Sequence, residues 1–379
     1  MNLLIVCGGT AGHINPALAI AEEMQKRIPE SNILFIGADK PLEKRLIPAA
    51  GFHLENIKMS GLSRSLSPRG IIRNIKAVRS LLKANKKSSK VIKEFSPDAV
   101  IGTGGYICYP VLKKAAKLKI PTFILEPNAY PGLTVRMLSQ IVDKIFVAFN
   151  GMEDLFTSAK DSVVFTGTPL RKDFIKQMSS DADSNLTDSV GNTKPLVVSY
   201  WGSLGASEMN QMMVKFIERN IAENKFNHIH ATGISSNANP LNSIKDTSRE
   251  DINEPMVDIR EYIDDMPSVM KAATIVLSRA GASTIAELTA LGKPAILVPS
   301  PNVTDNHQEK NAEQLNAVGG ALMIRESECT GDTLFDIVSS TVYDKTRLEK
   351  MSTAQKTLSV EDASERIINI ILDSTEKSA

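Results

Sequence analysis

Cysteine is nearly absent from this chain. Cys7, Cys108 and Cys329 are the only three, an odd number with wide, irregular spacing. That excludes a disulfide framework and any cysteine-based zinc site, and it fits a reducing compartment. Long apolar runs are missing too: nothing approaches the roughly 18 consecutive apolar residues that span a bilayer. No basic stretch precedes the apolar opening Met1-Asn-Leu-Leu-Ile-Val, so a signal peptide is not expected. Histidines number five and never fall in an H-E-x-x-H pattern, and no Ser–His–Asp arrangement is readable. Net charge is small as well, with 44 basic against 43 acidic residues, which excludes an even coat of positive charge.

The near-zero sum hides a division. Residues 1–160 carry 23 basic and 12 acidic side chains, a net of +11, while residues 161–379 carry 21 and 31, a net of −10. A basic half joined to an acidic half points to an anionic partner for the first half, a membrane surface or a nucleic acid. A length of 379 residues favours two domains, and an apolar fraction of 42% is enough for two cores.

The chain opens as strand, glycine loop, helix. NLLIVC (2–7) reads as a buried strand and GGTAGH (8–13) as the loop. Asn15 then reads as a helix N-cap, with Pro16 at the first helical position. NILFIGA (32–38), PDAVIGTGG (97–105), PTFILE (121–126) and KIFVAF (144–149) continue as strands with helical stretches between them. This alternation predicts a parallel sheet covered on both faces. A polar segment, 176–194, precedes a second round: the strand PLVVSY (195–200), the loop WGSLGAS (201–207) and the helix EMNQMMVKFIERN. HIHAT (228–232), MVDIR (256–260), ATIVLS (273–278) and PAILVP (294–299) are its further strands, and 235–255 reads as a surface loop. An amphipathic stretch near 361–372 is the last helix. The fold class is α/β, two doubly wound Rossmann-like domains in tandem. Ligands in such sheets bind beyond the carboxyl ends of the strands.

Both glycine loops can bring backbone N–H groups close to an anion at a helix N-terminus. The first is neither a Walker A loop nor G-x-G-x-x-G, and as a bare turn it would need no ligand. Gly102-Thr-Gly-Gly105-Tyr106 is a further glycine cluster at another strand end, and the pair favours a binding role. His13 closes the first loop, where an imidazole can act as a base or simply bond to backbone. His53, His228 and His230 read as sheet or packing residues. In the second half, Ser203 adds a hydroxyl donor to the loop. Thr284 and Glu287 fit a capping box, S/T-x-x-E, while Glu287 could instead accept from sugar hydroxyls.

Taken in order, these segments resemble the MurG family of N-acetylglucosaminyltransferases. The matching stretches are GGTAGHINPALAIA (8–21), GTGGYICYP (102–110), EPNAYPG (126–132), TGTPLR (166–171), WGSLGA (201–206), EYIDDM (261–266), SRAGASTIAEL (278–288) and PSPNVTDNHQEKNA (299–312). The resemblance implies a GT-B fold, two Rossmann-like domains facing an interdomain cleft. It places the acceptor domain at 1–166 plus 359–379 and the donor domain at 167–358. It implies inverting transfer of GlcNAc from UDP-GlcNAc to the MurNAc C4 hydroxyl of undecaprenyl-pyrophosphoryl-MurNAc-pentapeptide, at the cytoplasmic face of the cell membrane, with no metal or other cofactor. By position, the resemblance assigns Arg171 and Ser203 to the diphosphate, the Ile263 backbone to uracil, and Glu287 to the ribose. His307 and Gln308 fall at the GlcNAc hydroxyls. Thr10, Ala11, Gly12 and Asn128 fall on the acceptor side, and His13 is the candidate general base. Pro127 stands where the family usually has Gln, Thr168 where it has Asn, and Trp201 and Ala11 where it has Gly.

Residues 64–93 hold ten basic side chains, from Arg64 and Arg69 to Lys93, and no acidic one. Ile71, Ile72, Ile75, Val78 and Leu82 recur there at helical spacing. A basic amphipathic helix around Arg69–Lys93 reads as an anionic-membrane surface element, or as a helix that turns its apolar stripe to the core. The absence of aromatic residues in it weighs against nucleic acid. A UDP-GlcNAc 2-epimerase and a non-catalytic, membrane-associated nucleotide-binding scaffold are the rival readings.

Overall fold

Short apolar runs, buried along both faces, set the architecture. The computed structural model describes residues 1–59, 68–179, 194–202, 204–234 and 257–376, with the side chains of residues 68–78 outside that description. Ser203, Arg64, the surface loop read at 235–255 and most of the polar segment 176–194 therefore lie outside the described residues, as do the side chains of Arg69, Ile71, Ile72, Ile75 and Val78.

The chain forms two units, Met1–Lys172 with Val360–Ala379, and Asp173–Ser359. In the first, chain order gives β1 (Asn2–Cys7), α1 (Ala11–Arg27), β2 (Asn32–Gly37), α2 (Pro41–Ala49), β3 (His53–Asn56), α3 (Pro68–Phe95), β4 (Ala99–Gly104), α4 (Cys108–Lys117), β5 (Thr122–Glu126), α5 (Leu133–Leu138), β6 (Lys144–Val147) and β7 (Val163–Phe165). The strands lie in the order β3-β2-β1-β4-β5-β6-β7, all parallel. The reversal of strand order falls between β1 and β4. Leu3, Ile5 and Cys7 pack with Ile14, Leu18 and Ala21 of α1, and Phe123 and Phe146 stack 5.8 Å apart on neighbouring strands.

The second unit runs α6 (Lys172–Ser179), β8 (Leu196–Tyr200), α7 (Ser207–Glu223), β9 (Asn227–Ala231), β10 (Val257–Arg260), α8 (Met266–Ala272), β11 (Ile275–Ser278), α9 (Ala282–Leu291), β12 (Ala295–Leu297), α10 (His307–Ala317), β13 (Ala321–Met323), α11 (Gly331–Thr341) and α12 (Lys345–Lys356). Its parallel sheet has the order β10-β9-β8-β11-β12-β13, with the reversal between β8 and β11. The last helix, α13 (Ala363–Glu376), returns to the first unit, where Ile367, Ile368 and Ile371 join the core beside α1. The sequence reading omitted β3, β7 and β13. Each has only three or four residues and sits at a sheet edge, too short to print a period on the sequence.

Two histidines are fully buried in the second sheet. Ser199 Oγ lies 2.7 Å from His228 Nε2 and 2.7 Å from His230 Nδ1. One hydroxyl donates to one ring, which is therefore neutral, and accepts from the other, which burial keeps neutral. Burial holds His228 well below the usual range and His230 at about 3. Both belong to the packing, as the sequence suggested, while His53 is exposed on β3.

A stability prediction follows. The folded histidine pKa values lie below the unfolded value near 6.5, so their contribution is present above that pH and is lost as pH falls toward 3. Each histidine costs about 1.4 kcal/mol per pH unit below 6.5. Glu287, raised by burial to about 7, works in the opposite direction between about 7 and 4.5, and offsets about one of the two. Where the second unit unfolds by itself, a net loss of about 1.4 kcal/mol per pH unit is expected below 6.5; Glu126 of the first unit, also raised by burial to about 7, cancels that loss where the chain unfolds as one. Urea unfolding followed by the fluorescence of Trp201, the only tryptophan and a core residue of this unit, measures it. A midpoint unchanged between pH 6.5 and 5 in a Glu126→Gln variant, which removes the first unit's offset, would contradict the neutral pair.

Candidate active site

Three loops leave the carboxyl ends of the adjacent strands β1, β4 and β5. The first begins with Gly8 and ends inside α1. The helix starts at Ala11 rather than at Pro16, and Thr10, not Asn15, is its N-cap. The Thr10 carbonyl accepts from His13 N and Ile14 N, each at 3.1 Å, which closes the first turn five residues early. Pro16 then sits in the second turn, and the bond it would donate to Gly12 O is the one the helix forgoes. Thr10, Ala11, Gly12 and His13 thus form the N-terminal turn itself, where backbone N–H groups and the helix dipole face an anion.

His13 Nδ1 lies 2.8 Å from Gly8 O. A carbonyl only accepts, so Nδ1 carries a proton, and in the neutral ring the lone pair is on Nε2. Thr103 Oγ1 donates to His13 O at 2.7 Å, tying the β4 loop to this turn. Gly104 has φ +127°, and a Cβ there would fall 2.3 Å from His13 Cδ2. The imidazole therefore lies flat against the glycine cluster, and only glycine leaves it room.

Asn128, on the β5 loop, is held by a residue the sequence reading passed over. Glu126 Oε1 accepts from Asn128 N at 3.0 Å and Asn128 Nδ2 at 2.9 Å, while Oε2 accepts from Gly132 N at 2.8 Å. Burial raises this carboxyl to about 7 against the pull of those donors. An acid ending an apolar strand, TFILE, was the signal available. Arg171 donates to Glu22 of α1 through Nη2 at 2.9 Å and Nε at 3.2 Å, and Lys172 N joins the same carboxylate at 2.9 Å. These bonds place 167–172 with the first unit.

In the second unit the loop after β8 passes through Gly202 and Gly205 to the N-terminus of α7 at Ser207. Gly205 has φ +78°, and a Cβ on it would lie 2.1 Å from Thr232 O. Gly233 N donates to Glu261 O at 2.9 Å, so the loops after β8, β9 and β10 are layered together. Ile263 is buried at the edge of that layer. Glu287 is not part of a capping box. The N-cap of α9 is Gly281, which puts Thr284 at the third helical position and Glu287 in the second turn. Its half-buried carboxyl forms no hydrogen bond among the described residues, and desolvation raises it to about 7. Tyr200, at the end of β8, is pushed up first by its own burial and then by the charge of Glu287.

His307 and Gln308 open α10. His307 Nδ1 donates to Thr304 O at 2.8 Å, again leaving Nε2 as the acceptor. Gln308 Oε1 accepts from Ser300 N at 2.9 Å, which fixes the amide so that its NH2 is the outward donor. Asp305 and Asn306 before them both have φ of +54°, a conformation that non-glycine residues adopt at a cost. Arg279 and Asn311, which sequence reasoning did not single out, lock this loop. Arg279 donates to Val298 O at 3.0 Å and Pro299 O at 3.2 Å and pairs with Glu326, and Asn311 Nδ2 donates to Ala280 O at 3.0 Å.

Thr10, Ala11, Gly12 and His13 thus stand on the loop of switch-point strand β1 and Asn128 on that of β5, while Arg171 is held in the first unit by Glu22 after edge strand β7; two Rossmann-like units in tandem are the architecture of a GT-B glycosyltransferase. Residues 3–147 match the glycosyltransferase family 28 N-terminal domain, and residues 197–367 match the family's C-terminal domain. A curated relative from Acetivibrio thermocellus, a UDP-N-acetylglucosamine--N-acetylmuramyl-(pentapeptide) pyrophosphoryl-undecaprenol N-acetylglucosamine transferase, is 40% identical over all of both chains. The transferase of the same name from Listeria monocytogenes is 40% identical over 98% of this chain and 99% of its own. The chain belongs to the MurG family of glycosyltransferase family 28. Among solved structures, Acinetobacter baumannii MurG superposes with a TM-score of 0.74 at 24% identity, covering 98% of this chain and 99% of that one. A UDP-GlcNAc 2-epimerase from Neisseria meningitidis shares the fold with a TM-score of 0.66 at 17% identity, over 98% of this chain and 100% of that one.

Proposed function

We propose that this chain transfers GlcNAc from UDP-GlcNAc to the C4 hydroxyl of the MurNAc unit in undecaprenyl-pyrophosphoryl-MurNAc-pentapeptide, with inversion at the anomeric carbon. The substrates are those of the full-length relatives. The observation that carries the chemistry is the tautomer of His13, whose Nε2 lone pair is fixed by the bond from Nδ1 to Gly8 O. The acceptor oxygen attacks the sugar C1 opposite the leaving group. The C1–O bond to the β-phosphate breaks, its electron pair leaves on UDP, and the hydroxyl proton passes to His13 Nε2.

Thr10, Ala11, Gly12 and Asn128 hold the acceptor. Ser203 and the amides at the start of α7 stabilise the leaving diphosphate, an electrostatic effect aimed at charge that develops in the transition state. Arg171, which by its position in the family pattern falls at the diphosphate, supplies a cation to it. The Ile263 backbone reads uracil, Glu287 accepts from the ribose, and His307 and Gln308 contact GlcNAc. Incubation with labelled UDP-GlcNAc, with and without a short-chain lipid acceptor, tests the reading. Label in the lipid only when acceptor is present supports it. Epimerised sugar formed without acceptor would replace it with the epimerase reading.

The same reading places the enzyme peripherally on an anionic membrane, at its cytoplasmic face, through α3. Among the described residues no helix is long and apolar enough to cross a membrane. Ala84, Ser88, Val91 and Ile92 of α3 turn inward, whereas Arg79, Lys83, Lys86, Lys90 and Lys93 are exposed and Leu82 is 65% exposed. Leu82 is thus a member of the apolar stripe that is left exposed. With about 1 kcal/mol for each basic residue near an anionic leaflet, several lysines suffice for salt-sensitive binding. Cosedimentation with vesicles containing phosphatidylglycerol is expected at low salt, with release in about 0.5 M NaCl as charges are screened. No cosedimentation at low salt would overturn the surface assignment.

A further inference from the structure

Glu43 has no part in the assignments above, yet it is fully buried beneath the first glycine loop. A buried carboxylate is costly unless its oxygens are satisfied. Here Oε1 accepts from Gly9 N at 2.8 Å and Oε2 from Lys40 N at 3.1 Å, with no cation paired to it among the described residues. Glu43 is the third residue of α2, where the helix dipole favours negative charge. Two glycines make room for it. A Cβ on Gly37 would fall 2.6 Å from Oε2, and one on Gly8 would fall 3.1 Å from Oε1.

The Gly9 N–H that Glu43 receives and the Gly8 carbonyl that His13 engages belong to one peptide group. The chain of contacts is carboxylate, peptide N–H, the same peptide's C=O, imidazole Nδ1–H, with 2.8 Å at each hydrogen bond. A negative charge on the N–H side of an amide pushes its electrons toward oxygen, so the carbonyl becomes a stronger acceptor, as in any polarised hydrogen-bond chain. We propose that Glu43 is a positioning residue that acts on His13 through the Gly8–Gly9 peptide, fixing the imidazole's tautomer and strengthening Nε2 as the acceptor of the substrate proton. A carboxylate that orients a catalytic histidine directly is a familiar arrangement. In this fold a backbone amide stands between the two. The neighbouring titratable groups do not compete. Cys7 and Cys108 face this region, and burial raises both thiols, Cys108 to about 12, so they stay neutral. Cys108 Sγ is turned to Gly104 O and Val6 O.

The proposal rests on His13 being the base, and the experiment separates the two. Glu43→Gln keeps the shape and removes the charge. The expected result is a fall in kcat of about tenfold, typical of the loss of an outer partner, with KM for UDP-GlcNAc within about twofold. The acidic limb of the pH profile of kcat/KM should move to lower pH. In a His13→Ala background, Glu43→Gln should cost nothing further. If Glu43→Gln lowers kcat equally in both backgrounds, or leaves kcat and the acidic limb unchanged, the relay is overturned while the base assignment stands. If His13→Ala alone keeps full turnover, the base assignment falls, and the relay with it. Should Glu43→Gln not fold, 15N NMR of the wild-type imidazoles decides: a His13 protonated at Nδ1 near neutral pH is expected, and one protonated at Nε2 overturns the relay.

Discussion

His13→Ala is expected to lower kcat by roughly 10²–10⁴, the usual worth of a positioned general base. KM for UDP-GlcNAc should stay within about twofold, because Ile263, Glu287, His307 and Gln308 lie in the other unit. The geometry makes this the largest effect. His13 is fixed from several directions: by Gly8 O at Nδ1, by Thr103 Oγ1 on its carbonyl, and by Gly104 against its ring. A ring so constrained offers Nε2 in one direction. His13→Gln tests the same point differently. It can hydrogen-bond but cannot take up a proton, so it should be nearly as slow as alanine. The measurement is steady-state turnover at saturating acceptor, with circular dichroism to confirm the fold. Turnover within threefold of wild type in both variants would remove His13 from the chemistry.

Glu287→Gln is expected to weaken UDP by about 10–100-fold. The carboxyl has no partner among the described residues, and burial has raised it to about 7. Ribose hydroxyls donating to it would make charge-assisted bonds worth about 1.5–3 kcal/mol, and such donors favour the ionised form. The sign for pH follows. Below 7 the free enzyme carries a proton on Glu287, and binding expels it, so UDP binds more tightly as pH rises from 6 to 8. Calorimetry in two buffers of different ionisation enthalpy would detect the released proton near pH 6.5. In Glu287→Gln both the pH dependence and the proton release should vanish. A UDP affinity flat across that range in the wild type would separate Glu287 from the ribose.

The sequence carried the plan of each unit because a covered parallel sheet leaves a strong trace. Runs such as NLLIVC and TFILE are apolar without alternation, and each precedes a loop rich in glycine or proline. The loop residues proposed to meet a ligand were legible for the same reason: they follow a strand directly, and position alone marks them. What was hidden lies one layer deeper. Glu43 and Glu126 act on backbone N–H groups, a role any acid in the chain could play, and only burial distinguishes them. The starts of α1 and α9 were misplaced for a local reason. Pro16 and the Thr284–Glu287 pair carry the usual marks of a helix N-terminus, but the Thr10 carbonyl and Gly281 begin those helices earlier. Helical spacing showed that α3 has an apolar stripe, not how far along the helix the core reaches, and Leu82 is a stripe residue left exposed.

The product of a single turnover tests the central claim most directly. Enzyme in excess over UDP-GlcNAc, given a short-chain lipid acceptor, should yield one UDP for each disaccharide formed. Proton NMR should show the new GlcNAc with the large H1–H2 coupling of a β linkage, the outcome of one in-line displacement assisted by His13. An α-linked product, or UDP released at the same rate without acceptor, would contradict the account.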